Sequence, residues 1–345
     1  MRYGMRVGLD ERKRRILNAI IEDYILTATP VGSRTLEKKY FTNLSSATIR
    51  NEMSDLAEMG YLLQPHVSAG RVPTLPAYRL YVDDLLRREI APLNDERFAF
   101  ETLSTRRMQL EDLLPAAAQV LSDLTGMPSV IILPKQEELK IRCLQLIPMP
   151  QSSALLVVIT ESGTVSQSVI RVSDKLDDDA LFTISKMLTE RFSGRTLSEV
   201  QMMLTVLESR GSNTVALDGI SQLARQMQKQ SSMDTIAIGG RHNILNYPEY
   251  SDVEKARALL SVLDDKEQLA RMLRDTKGVL SVHIGAETGI PEMRECAAVT
   301  YRYTSPGRSA GTISVIGPAR MPYNKVFSAL VTVGQALTGL LGGER

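Results

Sequence analysis

Hydrophobic positions in the first sixty residues fall into three helical patterns. Ile16, Ile20 and Tyr24 recur every four residues, with Leu17, Ile21 and Ile25 beside them, which predicts a helix over 11–27. Asp10 is placed to cap its start, and Thr29-Pro30 to end it. A short second helix is predicted over 33–40, introduced by Pro30-Val31-Gly32. Phe41 to Leu44 makes a tight connection to a third, capped by Ser45 or Ser46, running to Met59 and closed by Gly60. Two short apolar segments follow, Tyr61-Leu62-Leu63 and Arg71-Val72-Pro73, on either side of the polar loop Gln64 to Gly70. Helix, helix, turn, helix and hairpin is the order of a winged helix-turn-helix.

Further along, a helix is expected over 78–90, a linker at Ala91-Pro92-Leu93-Asn94 and another helix over 100–125. From Ser129 the pattern turns to β, at 130–133, 141–147, 154–160 and 165–172. Residues 174–275 read as mostly helical, broken near Gly211, Gly239-Gly240 and Pro248. Strand character returns at 279–284, 297–303 and 311–316, before a final helix over 325–341. A β pattern interrupted by a helical block predicts one domain inserted into another. The fold class is α+β and multidomain, with 1–90 as the winged helix-turn-helix and 91–104 as linker. Segments 105–173 and 255–345 then make one α/β domain, interrupted by an insertion at 174–254.

Composition narrows the class. At 345 residues, 43% apolar and 23% charged, the chain is long enough for two or three domains with ordinary cores. No apolar run approaches a membrane span, and the first ten residues lack a signal peptide's apolar stretch, so a cytoplasmic location is expected. Cys143 and Cys296 are expected as free thiols of a reducing compartment. The net charge is +1, with a mild cationic excess in the first ninety residues and a mild anionic one after them. That asymmetry alone does not indicate nucleic acid.

A polar face on one helix is usually only solvated. Together with the helix-turn-helix spacing and the wing, the third helix points to DNA, with a winged helix used for protein contacts as the rival. Ile49, Met53 and Leu56 share one narrow stripe at about 100° per residue. The opposite side carries Ala47, Asn51 and Ser54, flanked by Thr48 and Arg50, with Ser46 at its start. Such side chains suit base edges in the major groove: Arg bonds guanine in pairs, Asn bonds adenine, and Ala or a Thr methyl meets thymine. In the loop, His66, Ser68, Gly70 and Arg71 are candidate wing contacts. Arg34, Lys38 and Lys39, with the run Arg12 to Arg15, are candidate phosphate contacts.

Enzymatic readings find little support. His66, His242 and His283 do not pair with Cys at metal spacing, and there is no Cys-x-x-Cys. Gly239-Gly240-Arg241-His242 lacks the spacing of a phosphate loop and reads as a loop after a strand of the inserted domain. Asp177-Asp178-Asp179 begins a helix, where acids are favourable partners of the helix dipole. No catalytic residue, cofactor site or metal site is expected, and the chain is not read as an enzyme.

Several stretches resemble the HrcA family of heat-inducible repressors. They are Val31-Gly32-Ser33-Arg34-Thr35-Leu36, Ser46 to Met53, Gly60-Tyr61-Leu62, Gln64 to Thr74, and Arg79 with Tyr81-Val82-Asp83. Ile238-Gly239-Gly240, Asn243-Ile244-Leu245, Pro248-Glu249-Tyr250 and Ile316 to Tyr323 extend the likeness over nearly the whole chain. The sequence departs from the family's usual pattern at Leu75-Pro76-Ala77, Ser45-Ser46, Leu63 and Pro322. The resemblance implies a winged helix, a GAF-like domain and a dimerising domain inserted within it. It implies repression of chaperone operons through an inverted-repeat operator in double-stranded DNA, bound by a homodimer. It also implies a GroEL-type chaperonin as partner, keeping the repressor active until unfolded proteins occupy it. A metabolite-responsive repressor, with an effector in the GAF-like domain, stays open as the alternative. Met187, Met202, Met203 and Met227 supply flexible side chains suited to loose cores or adaptable surfaces.

Overall fold

A computed structural model describes residues 9–88, 90–93, 110–133, 139–161, 163, 165–173, 177–209, 220–225, 235–274, 278–305 and 308–342. The chain divides into two compact units. The first comprises residues 1–133, 236–306 and 310–345, and the second residues 134–235 with 307–309.

The first unit opens with helices α1 (Glu11–Thr27), α2 (Ser33–Lys39) and α3 (Ser46–Glu58). Asp10 caps α1, its side chain accepting from the backbone N–H of Lys13 at 2.7 Å. Ser45, not Ser46, caps α3 by accepting from the backbone N–H of Thr48 at 3.2 Å. Ile16, Leu17, Ile20 and Ile21 of α1, Leu36 of α2 and Ile49, Met53 and Leu56 of α3 are buried together. Strands β1 (Leu62–Leu63) and β2 (Val72–Pro73) pair antiparallel and close this head. Helix α4 (Leu75–Leu85) follows at once, three residues before the expected start at Tyr78. Pro76 lies in its first turn, where the missing N–H costs nothing, so the departure at Leu75-Pro76-Ala77 begins a helix instead of a turn. Of the expected linker 91–104, residues 91–93 are described, and the backbone N–H of Leu93 donates to Thr332 Oγ1 at 2.9 Å.

The body of the same unit is a five-stranded sheet with the order β7–β3–β10–β9–β8. Its strands are β3 (Ser129–Leu133), β7 (Thr235–Gly239), β8 (Leu280–Ile284), β9 (Cys296–Ser305) and β10 (Arg308–Pro318). One face packs on α5 (Leu110–Thr125) and α10 (Tyr323–Gly342), through Ile131, Val299, Ile313 and Val315. The other packs on α8 (Val253–Asp264) and α9 (Lys266–Arg274), through Val130, Ile132, Ala298 and Ile316. With helices on both faces, every residue of β3 is buried, which explains the unbroken apolar run Val130-Ile131-Ile132-Leu133. This layering agrees with the GAF-like α/β domain expected from the resemblance.

The second unit holds β4 (Ile141–Met149), β5 (Ser153–Thr160) and β6 (Val165–Arg171), a three-stranded antiparallel sheet of consecutive hairpins. It also holds α6 (Asp178–Phe192) and α7 (Leu197–Ser209). Side chains of α6 cover the free edge of β4. Ser185 Oγ accepts from the backbone N–H of Leu146 at 2.8 Å, and Thr189 Oγ1 bonds both the N–H and the carbonyl of Leu144. Asp177 caps α6, with Asp178 and Asp179 in its first turn.

Two expectations need correction. The insertion does not run over 174–254, because 134–235 forms the compact unit. Strands at 141–171, expected beside 279–316, pair only with one another, since short hairpins bring neighbouring strands together first. Residues 236–250 return to the first unit, and β7 is a strand of its sheet within a block read as mostly helical. Expected features at 100–109, Gly211 and Met227 lie outside the described residues.

Gly239-Gly240 finishes β7 directly against α5. A Cβ on Gly240, at φ +58°, would sit 1.7 Å from Ser122 Oγ, an atom already bonded by Asn243 Nδ2 at 2.9 Å. Gly240→Ala is expected to destabilise the chain by at least about 2 kcal/mol, combining left-handed strain with a clash. Gly194→Ala, at φ +76° with open space around it, should cost only about 1 kcal/mol. Urea unfolding of both variants checks this; equal losses would mean strain alone is at work.

Candidate nucleic-acid interface

Burial of Ile49, Met53 and Leu56 turns the remaining side of α3 outward. Ala47, Arg50 and Asn51 are exposed, and Ser54 is half-buried. Arg50 and Asn51 have no hydrogen bond or ion pair among the described residues, so their donors and acceptors are available to a ligand. Ser46 and Thr48 differ. Ser46 Oγ shares a hydrogen bond with Ser33 Oγ at 2.9 Å, tying α3 to α2, and Thr48 Oγ1 bonds the capping Ser45 Oγ at 2.9 Å. The hydroxyls of both residues are engaged in holding the start of the helix.

The hairpin is fixed at its base by a third chain segment. Val31 and Arg71 exchange backbone hydrogen bonds at 2.9 Å each way, so the approach to α2 pairs with the return strand of the wing. Gly70 makes that approach possible, because a Cβ there would sit 2.4 Å from the Val31 carbonyl oxygen. Gln64 Nε2 spans the loop and donates to the carbonyls of Val67 at 2.8 Å and Ala69 at 3.1 Å. His66 and Ser68 are exposed in the loop so closed, and the Arg71 side chain is half-buried. Val67 was not singled out from the sequence, yet it is 98% exposed at the tip. Its signal was a lone apolar residue in a polar Pro- and Gly-bounded loop.

The cations sort into two groups. Arg34 and Lys38 are exposed, with no ion pair among the described residues. Lys39 Nζ instead donates to Asp23 Oδ1 at 2.8 Å, compensating a carboxylate that is buried and also receives Tyr40 Oη at 3.3 Å. In the run Arg12 to Arg15, Lys13 is drawn in between acids, while Arg12 and Arg15 stay exposed. Lys13 bonds Glu52 at 2.7 Å and Asp55 at 3.0 Å, joining the start of α1 to α3. Arg12 lies 3.7 Å from Glu52, Arg14 lies 3.6 Å from Asp84, and Arg15 lies over the Phe41 ring. Of these four cations, Lys13 makes the short ion pairs that bind the head together.

The bond to Asp23 raises the Lys39 pKa, favouring the protonated form in the folded chain. Its contribution is therefore fully present below the unfolded lysine value of about 10.4 and is lost as pH rises through the higher folded value. Lys39→Met is expected to lower the melting temperature at neutral pH, with the difference from the parent shrinking at strongly alkaline pH. Lys38→Met should leave the melting temperature unchanged. Thermal melts followed by circular dichroism at both pH values check the pair.

Catalytic features are scarce among the described residues. Among those residues no group of three metal-ligating side chains occurs, and no helix is long and apolar enough to cross a membrane. Cys143 and Cys296 are free thiols, and burial raises the pKa of Cys296 to about 11, which suppresses the reactive thiolate.

The profile of the HrcA protein C-terminal domain matches residues 111–327. An Acetivibrio thermocellus protein named heat-inducible transcription repressor HrcA is 39% identical, with 93% of each chain covered. A Natranaerobius thermophilus protein of the same name is 36% identical, over 98% of this chain and 99% of its own length. A crystal structure described as that of a hypothetical protein shares the fold at a TM-score of 0.66 and 26% identity, over 97% of this chain and 99% of that one. Likeness of this extent covers the head as well as the body, and the chain belongs to the HrcA family.

Proposed function

We propose that this chain is a cytoplasmic, non-enzymatic transcriptional repressor of heat-shock chaperone operons, binding an inverted-repeat operator as a homodimer. One observation carries the DNA reading: α3 presents Arg50 and Asn51 unpaired and outward, beside a braced hairpin, in a chain whose relatives are named heat-inducible repressors. Ala47 and Ser54 complete the reading face, with Ser46 and Thr48 at its edge. Arg34 and Lys38 supply phosphate contacts, joined by Lys39 where the phosphate displaces Asp23. The wing contributes His66, Ser68, Gly70 and Arg71.

The homodimer is assigned to the inserted unit. Its sheet buries one face and leaves the other open. There the register sets Ile147, Leu155 and Val169 in one row and Val157 between Gln145 and Gln167 in the next. Ile147 is 42% and Val169 60% exposed, an apolar surface that a second copy can cover. Val169→Lys is expected to convert the dimer to monomers in sedimentation equilibrium; an unchanged dimer would move the interface elsewhere.

Dependence on a GroEL-type chaperonin rests on the family resemblance. Footprinting upstream of chaperonin genes, with and without added chaperonin, tests both the operator and the dependence. The effector-responsive alternative has one feature in its favour. A groove of about 470 Å³ beside α8 is lined by Leu245, Tyr250, Val253, Ala256, Arg257 and Leu260, within the size range of small-molecule sites. A metabolite that raised the melting temperature and released DNA would support that alternative.

Arg50→Ala is expected to weaken specific binding by about 1–3 kcal/mol and to relax one base preference. Lys38→Met should weaken all sequences alike and lower the salt slope by about one. Gel shifts on operator and random duplexes across a salt series separate the two. Equal loss from Arg50→Ala on both duplexes would reduce Arg50 to a phosphate contact.

A further inference from the structure

The segments Pro248-Glu249-Tyr250 and Ile316 to Tyr323 have no part in reading DNA, yet they converge on the head through one side chain. Arg320 sits in the turn between β10 and α10 and is largely buried. Its Nη1 donates to the carbonyl oxygen of Ile25 at 3.0 Å, in the last turn of α1. Its Nε and Nη2 grip the two carboxylate oxygens of Glu249, and its guanidinium lies 5.8 Å from the Tyr247 ring centre. Tyr247 is anchored in turn, its hydroxyl donating to the Gly126 carbonyl at 3.3 Å. Helix α1 has no cation of its own in its last turn. The carbonyl and dipole at its C-terminal end are therefore satisfied by a residue 295 positions away.

A second tie runs in the opposite direction. Arg79 of α4 donates to the Val282 carbonyl at 2.7 Å and pairs with Glu287 at 3.1 Å, both in the body. One tie would leave the head free to swivel, whereas two ties fix its orientation. Between them the joint is imperfect. Tyr78 of α4 is only 3% exposed, and its hydroxyl has no hydrogen-bond partner among the described residues, although Tyr24, Tyr323, Arg320 and Glu249 all lie within electrostatic reach. An orphaned buried hydroxyl costs free energy that water returns once the joint opens.

We propose that Arg320 is the positioning residue that sets the orientation of the head on the body, with Tyr78 keeping that joint openable. This inference rests on the DNA-binding reading for its consequence, though not for the joint itself. In a dimer the angle of each head bears directly on the distance between half-sites, so Arg320 governs spacer preference while leaving base reading untouched.

The test uses the full-length chain as Arg320→Met, Arg320→Lys and Tyr78→Phe. Duplexes selected by the parent protein from random DNA are rebuilt with the spacer lengthened one base pair at a time, alongside a single half-site. Arg320→Met should bind the half-site within about twofold of the parent but lose most of its preference among spacers. It should also speed amide exchange at least tenfold at the end of α1 and in α4. Arg320→Lys, which keeps the charge without the fork, should fall between, and Tyr78→Phe should slow the same amides. Parallel loss on half-site and full site, or an unchanged spacer ranking, would overturn the proposal. If the parent selects no DNA, the function reading fails; unchanged exchange in Arg320→Met would then still overturn the joint.

Discussion

Three apolar side chains on α3 set the terms for the rest of the head. Ile49, Met53 and Leu56 are sunk into the core made by α1 and α2, each contributing on the order of 1.5–3 kcal/mol by burial. A helix committed along one stripe has no freedom to rotate, so Arg50 and Asn51 are held outward by the same packing that stabilises the domain. This outward face needs no interaction of its own to stay exposed. It is preorganised, and in the proposed role of a reading face it would cost little to order on DNA beyond its own side chains.

Charge in the head follows the same division between support and contact. Lys13 and Arg12 neutralise Glu52 on the inner flank of α3, and Lys39 neutralises the buried Asp23. Those pairs brace the three helices and leave Arg34 and Lys38 exposed. The wing is braced differently, by backbone bonds between Val31 and Arg71 that require glycine at position 70. Cations that look equivalent along the chain thus do different work, depending on which acid the fold places beside them.

The body shows why strand patterns were easier to read than sheet membership. All four β segments between 129 and 172 were legible from alternation and β-branched content, and their observed bounds differ by only a few residues. Their partners were not. β3 is buried at every position because both its faces are covered, whereas β5 alternates between buried and half-buried because one face of its sheet is open. That contrast separates the two sheets, and it was present in the residues from the start. The strand before Gly239-Gly240 was read, but it was given to the insertion because its five residues lie beside a helical block; its place at the edge of the first unit's sheet shows only once the fold is closed.

The amino-acid order alone determined the helices of the head, the capping of α1 by Asp10, the apolar stripe of α3 and the identity of its polar side, because these depend on contacts a few residues apart and on helical period. Tertiary structure decided which cations are spent on Glu52 and Asp23, which sheet each strand joins, and that Arg320 reaches the end of α1. Those outcomes depend on groups brought together across tens to hundreds of residues. No local rule of spacing or propensity specifies such meetings; only the closed packing of the whole unit does.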